Sequence, residues 1–500
     1  MSTITEPQQP PSVRALSRRL PIAASAVTVD TACQLCAGVG VEPVVDLGHA
    51  PLTAHVGDNT DDEPATRRPL RIVRCVRCCA LQLDDELDDD DRAVIAAATG
   101  DRAFAGRPDL ARRFCEDAID RWTLRGAGHV VEIGSGTGSL LRFFRAWQLP
   151  VLGIESDHRL TRYARLRRIP TWRACFDTAI AERIVRAEMP ADLLIFSTPS
   201  GGFADLRQLF RDAATILRPG GVMTLEVPDV LRVVARTRLD EVAHTHRVVP
   251  TVGQLQRTVS ALGCELIDVE RAEPDQARLR VWIQRRPEQG RVTVHPRVRT
   301  RLRAESAVAI DTRATTAAFA QRVQLIREQI VSLLDDARLE NCTVAVSGAT
   351  SSAVAMANIV GMRRPHVAYV VDADPVRCGT SVPGTDVPII TPDQAGASRP
   401  DLLAFGDLPE TPNAWEGAPV YAVSDLIDVV HRLTGALVPP RLAIPRHASA
   451  DMRSISRCDV ADLTPAASGT RALQPRAVRN AGGDVTRVSC GPSWPGSPLP

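Results

Sequence analysis

The chain has 500 residues, 44% of them hydrophobic, and a formal net charge of +1. Its length calls for two or three cores, and no global field draws it to nucleic acid or an anionic membrane. All 60 basic residues are arginine; without a lysine, Schiff-base chemistry, a pyridoxal-phosphate anchor and a Walker A phosphate loop are excluded.

Residues 1–29, rich in Pro, Ser, Gln and Arg, show no clear period and read as a disordered lead-in. No apolar run with a cleavage site marks export, and no run of about 18 apolar residues marks a transmembrane helix. A cytoplasmic protein with no membrane partner is expected. Residues 30–90 hold two CxxC pairs, Cys33-Gln34-Leu35-Cys36 and Cys75-Val76-Arg77-Cys78. Each pair sets two thiolates on one knuckle, and two knuckles complete a tetrahedral four-cysteine zinc site. Such a closed site is structural and supplies folding energy that so short a segment lacks. With no export signal, paired cysteines point to metal rather than disulfides. Cys79 breaks the knuckle spacing and is a spare. The acidic run Asp84 to Asp91 reads as a solvated linker or a helix start.

Residues 91–300 read as one domain. Helical patterning covers Arg92 to Arg125. Then strands (Val130–Ile133, Val151–Ile154, Asp192–Phe196, Val222–Val227) alternate with helices (Ser139–Trp147, Leu160–Arg168, Leu206–Leu217). That alternation implies a parallel sheet with crossover helices. Leu217-Arg218-Pro219-Gly220-Gly221 reads as a helix stop and tight turn. Leu266–Val269 and Leu279–Ile283 form a closing antiparallel pair. Residues 301–445 read as a second α/β unit: a helix over Ile310–Ala337, then strands Thr343–Val346 and Val367–Val371. Residues 446–500, rich in Ser, Pro, Gly and Arg, read as a disordered tail.

Three constellations carry chemistry, the zinc knuckles being one. In Glu132-Ile133-Gly134-Ser135-Gly136-Thr137-Gly138 a strand runs into a glycine loop and then a helix. Glycines let the backbone approach a ligand, and the helix start offers oriented N–H donors. Glu155 ends the next strand, where a carboxylate accepts the ribose hydroxyls of a nucleoside ligand. Asp177, after the third strand position, is placed to face the adenine amine. An E-x-G-x-G-x-G loop with an acidic end to strand two looks like class I S-adenosylmethionine (SAM) methyltransferases rather than nicotinamide enzymes. The third constellation is Ala243-His244-Thr245-His246, beyond the Val222–Val227 strand. Ligands of open parallel sheets bind at that end, so His246 or His244 is a candidate general base. The bland reading of each histidine is a solvent-facing or hydrogen-bonded structural role.

From Ala32 to Pro412 the chain resembles the zinc-containing sugar C-methyltransferases, which act on nucleotide-linked deoxysugars. The resemblance rests on several stretches in the right order. These are Asp46-Leu47-Gly48-His49-Ala50-Pro51-Leu52, Pro69-Leu70-Arg71-Ile72-Val73-Arg74-Cys75, Leu81-Gln82-Leu83, Glu132-Ile133-Gly134-Ser135, Gly153-Ile154-Glu155 and Val371-Asp372-Ala373-Asp374-Pro375 with Pro383-Gly384-Thr385-Asp386-Val387-Pro388-Ile389. It implies an α/β fold: a Rossmann-like class I methyltransferase domain, an N-terminal four-cysteine zinc-binding segment and a C-terminal second Rossmann-like unit. It further implies SAM and structural zinc as cofactors, a nucleotide-linked sugar or related small molecule as acceptor, and His246 as base. The departures lie on the acceptor side. Ala243 and Thr245 stand where the family carries Tyr and Glu, Ser197-Thr198-Pro199 replaces an asparagine-rich stretch, Gln276-Ala277-Arg278 replaces Gly-Gly-Ser, and a lysine is lost near Ser352. Three functions follow: a SAM-dependent methyltransferase; a relative that binds SAM or a nucleotide-sugar without turnover; and a nucleic-acid-binding zinc protein. The last is opposed by the neutral charge and the acidic run beside the knuckles.

Overall fold

The computed structural model describes residues 28–422 apart from 53–66, 85–86, 100–103, 105–106, 125–127, 198–202, 204–205, 236, 238, 240–241, 273–277, 340–342, 350, 365, 373, 375–376, 396–400 and 405–419. The expected lead-in, up to residue 27, and the expected tail from 446 lie outside the described residues, as do Thr198, Pro199, Gln276 and Ala277.

In chain order, β1 (Thr28–Ala32), β2 (Val39–Pro51), β3 (Arg67–Cys75) and β4 (Leu81–Leu83) build the N-terminal segment. Helices α1 (Asp89–Thr99) and α2 (Pro108–Trp122) lead to the alternating series β5 (Val130–Ile133), α3 (Leu141–Ala146), β6 (Val151–Glu155), α4 (His158–Leu166), β7 (Thr171–Arg173), α5 (Thr178–Arg186), β8 (Ala191–Phe196), α6 (Leu206–Ile216) and β9 (Leu217–Pro228). A π-helical turn (Leu231–Ala235) and a 3-10 turn (His244–His246) precede β10 (Val248–Val249), α7 (Val252–Ser260), β11 (Cys264–Arg271) and β12 (Arg278–Arg285). Then come α8 (Pro296–Val308), α9 (Arg313–Leu339), β13 (Val344–Ser347), α10 (Ser351–Val360), β14 (Tyr369–Val371), β15 (Ile389–Ile390), α11 (Pro392–Ala395), β16 (Asp401–Ala404) and β17 (Val420–Ala422).

The strands form three sheets. The central one has the order β11-β12-β9-β8-β5-β6-β7, with β5, β6, β7, β8 and the following β9 parallel and β11 and β12 antiparallel at one edge. All four residues of β5 and all five of β6 are buried, as expected of strands covered on both faces by helices. Helix α2 starts with Pro108 in its first turn and buries Ala111, Phe114, Cys115, Ala118 and Ile119, a stripe at helical spacing, into the core that holds Phe144 and Trp282. The C-terminal unit repeats the arrangement: its all-parallel sheet runs β15-β14-β13-β16-β17, the same path as β7-β6-β5-β8-β9.

Three local expectations change. The helical span Arg92 to Arg125 is two helices, because Pro108 is a helix start rather than an interior residue. Leu217 to Gly221 is not a turn before the strand but part of β9: Ala191 pairs with Leu217 and Leu193 with Val222, so the extra residues bulge out between them. Gly220 supplies the left-handed backbone (φ 83°) that this bulge needs. The acidic run does start α1, yet Asp91 is buried and receives both Arg68 Nε (2.7 Å) and Arg68 Nη2 (2.9 Å). Helix α8 stands outside the elements expected from the sequence.

The N-terminal sheet has the order β1-β2-β3-β4-β10. Its last strand therefore comes from the connection between β9 and β11 of the seven-stranded sheet, with Val248 opposite Gln82 and Val249 opposite Leu81.

Candidate active site and metal centre

The glycine loop leaves β5 with Gly134, Gly136 and Gly138 all in the left-handed region (φ 73°, 54° and 75°), a path that only glycine takes at low cost. A Cβ on Gly138 would lie 2.9 Å from Ile169 Cγ1, so close packing as well as backbone shape demands glycine there. The loop is tied to the next strand. The Gly136 amide donates to Glu155 Oε2 at 2.8 Å, and the Asp157 amide donates to Glu155 Oε1 at 2.8 Å. Glu155 is only 1% exposed, and burial raises its carboxyl above the usual glutamate range against the pull of those two amides. Glu132, also buried, accepts the Ser197 hydroxyl at 2.6 Å, which links the ends of β5 and β8.

The structure thus brings Glu132, Gly134, Gly136, Gly138 and Glu155 to the carboxyl ends of β5 and β6. Asp177 stands after β7, exposed, and its carboxylate accepts the Ile180 amide at 2.8 Å as the N-cap of α5. Two neighbours escaped the sequence reading. Ser135 packs its hydroxyl where a Cβ on Gly153 would stand, 2.4 Å away, and Asp157 both caps α4 and fixes Glu155. A Gly-x-Glu spacing on a strand beside a Gly-Ser-Gly loop is the signal that could have paired Ser135 with Gly153.

The 3-10 turn His244–His246 lies between β9 and β10. His244 is fully buried with Nε2 3.1 Å from the Pro69 carbonyl of β3. His246 is 3% exposed, and neither of its ring nitrogens has a hydrogen-bond partner among the described residues. Burial pushes its imidazole well below the usual histidine range, and the Arg278 charge adds to that shift. The ring is therefore neutral at pH 7, the form that can take a proton.

In the N-terminal segment the sulfurs of Cys33, Cys36, Cys75 and Cys78 all lie within 4.8 Å of one another. Cys33 Sγ is 3.6 Å from Cys78 Sγ, and Cys36 Sγ is 3.8 Å from Cys75 Sγ. A tetrahedral zinc with bonds of about 2.3 Å needs sulfurs about 3.8 Å apart, so the four thiolates fit that ion. Backbone amides of Leu35, Gly38 and Arg77 point at Cys33, Cys36 and Cys75 Sγ at 3.4 Å each, the N–H···S contacts that stabilise bound thiolate. The Cys78 hydrogen bond already holds the Cys33 thiol below its ordinary value. Cys79 stands apart, with its sulfur 2.9 Å from Arg74 Nη2.

Comparison with known proteins agrees with this arrangement domain by domain. A zinc binding domain matches residues 33–91, a methyltransferase domain residues 108–269, and a C-methyltransferase C-terminal domain residues 277–405. The chain has the domains of a zinc-binding, SAM-dependent C-methyltransferase. The methyltransferase is 26% identical over 386 residues to C-methyltransferase NovU of Streptomyces niveus, which spans 76% of this chain and 90% of that protein. Among solved structures, a SAM-dependent methyltransferase of Clostridium acetobutylicum matches at 11% identity and TM-score 0.30, covering 37% of this chain and 96% of that one. Magnesium protoporphyrin IX methyltransferase of Synechocystis matches at 11% identity and TM-score 0.28, covering 40% and 98%. No helix among the described residues of the methyltransferase is long and apolar enough to cross a membrane.

Proposed function

We propose that this methyltransferase moves a methyl group from SAM to a carbon next to a carbonyl on a nucleotide-linked sugar or a related small metabolite, with His246 as general base. The observation that carries this reading is the state of His246: neutral, buried, and with both ring nitrogens lacking a partner among the described residues. A buried polar group of that kind costs stability unless something else occupies it, and a reacting C–H or carbonyl group would.

SAM supplies an electrophilic methyl group. Gly134, Gly136 and Gly138 shape the loop against which the nucleoside lies, and Glu155 accepts its ribose hydroxyls with the lone pairs left by two amides. On the acceptor side, a nitrogen of His246 takes the carbon-bound proton, and the electron pair left behind forms the new carbon–methyl bond as the sulfur–methyl bond breaks and its electron pair stays on the thioether sulfur that leaves. Arg278, whose charge reaches His246, balances the negative charge that develops on the carbonyl oxygen.

A nucleotide-linked acceptor is supported by the C-terminal unit. There the Asp372 carboxylate accepts the Ala349 amide (2.7 Å) and the Asp374 amide (2.8 Å), the same pair of bonds that Glu155 makes with Gly136 and Asp157. A second nucleoside-type crevice is consistent with a second nucleotide.

The test is methyl transfer to a panel of nucleotide-linked ketosugars by parent and His246→Ala. A positioned base contributes roughly 10²–10⁴-fold, and the variant should lose that much kcat while keeping SAM affinity. Undiminished turnover would remove His246 from the role. Ala243 and Thr245, which cannot ionise usefully, favour a second reading: SAM or nucleotide-sugar binding without turnover. Tight SAM binding with no product over the whole panel would select it.

A further inference from the structure

We infer that the two zinc knuckles position the His244–His246 turn, acting through Gln82 and Gln254, so that the metal site governs the acceptor side of the methyltransferase. The inference rests on the reading that places His246 on the acceptor side, but its test does not use turnover.

Hydrogen bonds tie the turn to the N-terminal sheet. Immediately after His246, the Arg247 carbonyl accepts the Leu83 amide at 2.8 Å, and β10 then pairs antiparallel with β4, Val248 opposite Gln82. On the other side, His244 Nε2 lies 3.1 Å from the carbonyl of Pro69 in β3, the strand that ends in Cys75.

Each knuckle reaches this strand through one buried glutamine. Gln82 is 1% exposed, and its Oε1 accepts the amide of Gln34, inside the first knuckle, at 3.0 Å. Gln254 is 3% exposed; its Nε2 donates to the Cys78 carbonyl of the second knuckle at 2.9 Å, and its Oε1 accepts the Thr251 amide at 2.8 Å, two residues past β10. The glutamines are positioning residues: one hooks each end of the short strand that follows the histidines to a cysteine pair. Replacing either amide removes a bond to a knuckle whose own shape depends on metal.

The bonds that fix the SAM loop run differently. Glu155 to Gly136 and Glu132 to Ser197 join strands of the seven-stranded sheet to one another. The two sides are therefore separable, although Cys33, Leu35 and Cys75 share a core with that sheet. Because of that shared core, stripping the metal alone does not discriminate, and variants that leave all four cysteines in place do.

The experiment compares full-length, zinc-loaded parent with Gln82→Leu and Gln254→Met. It reads backbone hydrogen exchange over residues 242–251 and over β5 to β8, deuterium exchange at the C2 carbon of His246 across pH, zinc per chain, and SAM affinity. Expected for both variants is exchange over 242–251 faster by about tenfold or more. With it should come a His246 C2 profile shifted toward that of a solvated histidine, one zinc per chain, and SAM affinity within about threefold of the parent. Zinc removal from the parent should produce the same change at the turn. Unchanged exchange and an unchanged C2 profile in both variants would overturn the inference. So would exchange that rises equally over β5 to β8, since that describes general loosening rather than positioning.

Discussion

Glu155 and Gly136 meet across the tips of two parallel strands, the carboxylate of one accepting the loop amide of the other at 2.8 Å. This single bond holds the glycine loop against the carboxylate proposed to take the ribose of SAM. On that proposal, ligand binding depends on the ionisation of a residue whose pKa burial has raised.

SAM affinity should therefore weaken as pH falls, starting at higher pH than an ordinary glutamate would cause. Above its raised pKa Glu155 is ionised and accepts both amides and hydroxyls; below it, the proton removes acceptor capacity. Titration calorimetry from pH 8 to 5 checks this. Glu155→Gln should bind SAM about 10- to 100-fold more weakly at pH 8, a loss of about 1.4–2.8 kcal/mol, and show a flatter pH profile. A parent profile that stays level down to pH 5 would contradict the assignment.

Gly153→Ala places a methyl group 2.4 Å from Ser135 Oγ and 2.9 Å from Ser135 Cβ. Overpacking of this kind costs about 1–3 kcal/mol. The urea midpoint should fall by a corresponding amount. Adding Ser135→Gly should recover much of it, which locates the loss at that contact rather than in the strand.

Zinc should bind at one ion per chain, and Cys75→Ser should release it. Thiols must lose their protons to bind metal, so affinity should fall steadily as pH is lowered. Elemental analysis and a chromogenic chelator read both. Removing the metal should lower the unfolding midpoint of the whole chain, because Cys33, Leu35 and Cys75 lie in the same core as Val131 and Ile133. A midpoint indifferent to chelation would show that the knuckles add nothing to folding.

His246 should make the fold sensitive to mild acid. Its folded pKa lies below its unfolded value of about 6.5. As pH drops below about 6.5, the unfolded chain takes up a proton that the folded chain refuses, so stability is lost from there down to the lowered folded pKa. Buried His129 and half-buried His366 are shifted the same way. His246→Phe should lose less stability than the parent between pH 7 and 5, with the other two histidines unchanged. Equal slopes in urea titrations of the two proteins would rule out a buried neutral His246.

The chemistry of this protein was legible where it is written in short stretches of chain. The glycine loop, the acidic end of the second strand and the two CxxC pairs each place their atoms through backbone geometry within a few residues, so spacing alone specified them. The alternation of strands and helices specified a parallel sheet, and it did so twice. What depended on distant pairing was not legible. Residue 82 gives no sign that it lies opposite Val248, nor does His244 that it reaches Pro69, 175 residues away. Asp91 reads as one more acid in a solvated run, whereas in the structure it is buried against Arg68. Hydrogen bonds and burial of this kind are set when separate segments pack, and a one-dimensional pattern carries no record of which segments meet. The sequence by itself therefore determined which groups are brought together as candidates for binding SAM and metal. The tertiary structure decided that the candidate base sits in a turn just before the strand borrowed by the zinc sheet, where burial lowers its pKa and packing holds it in place.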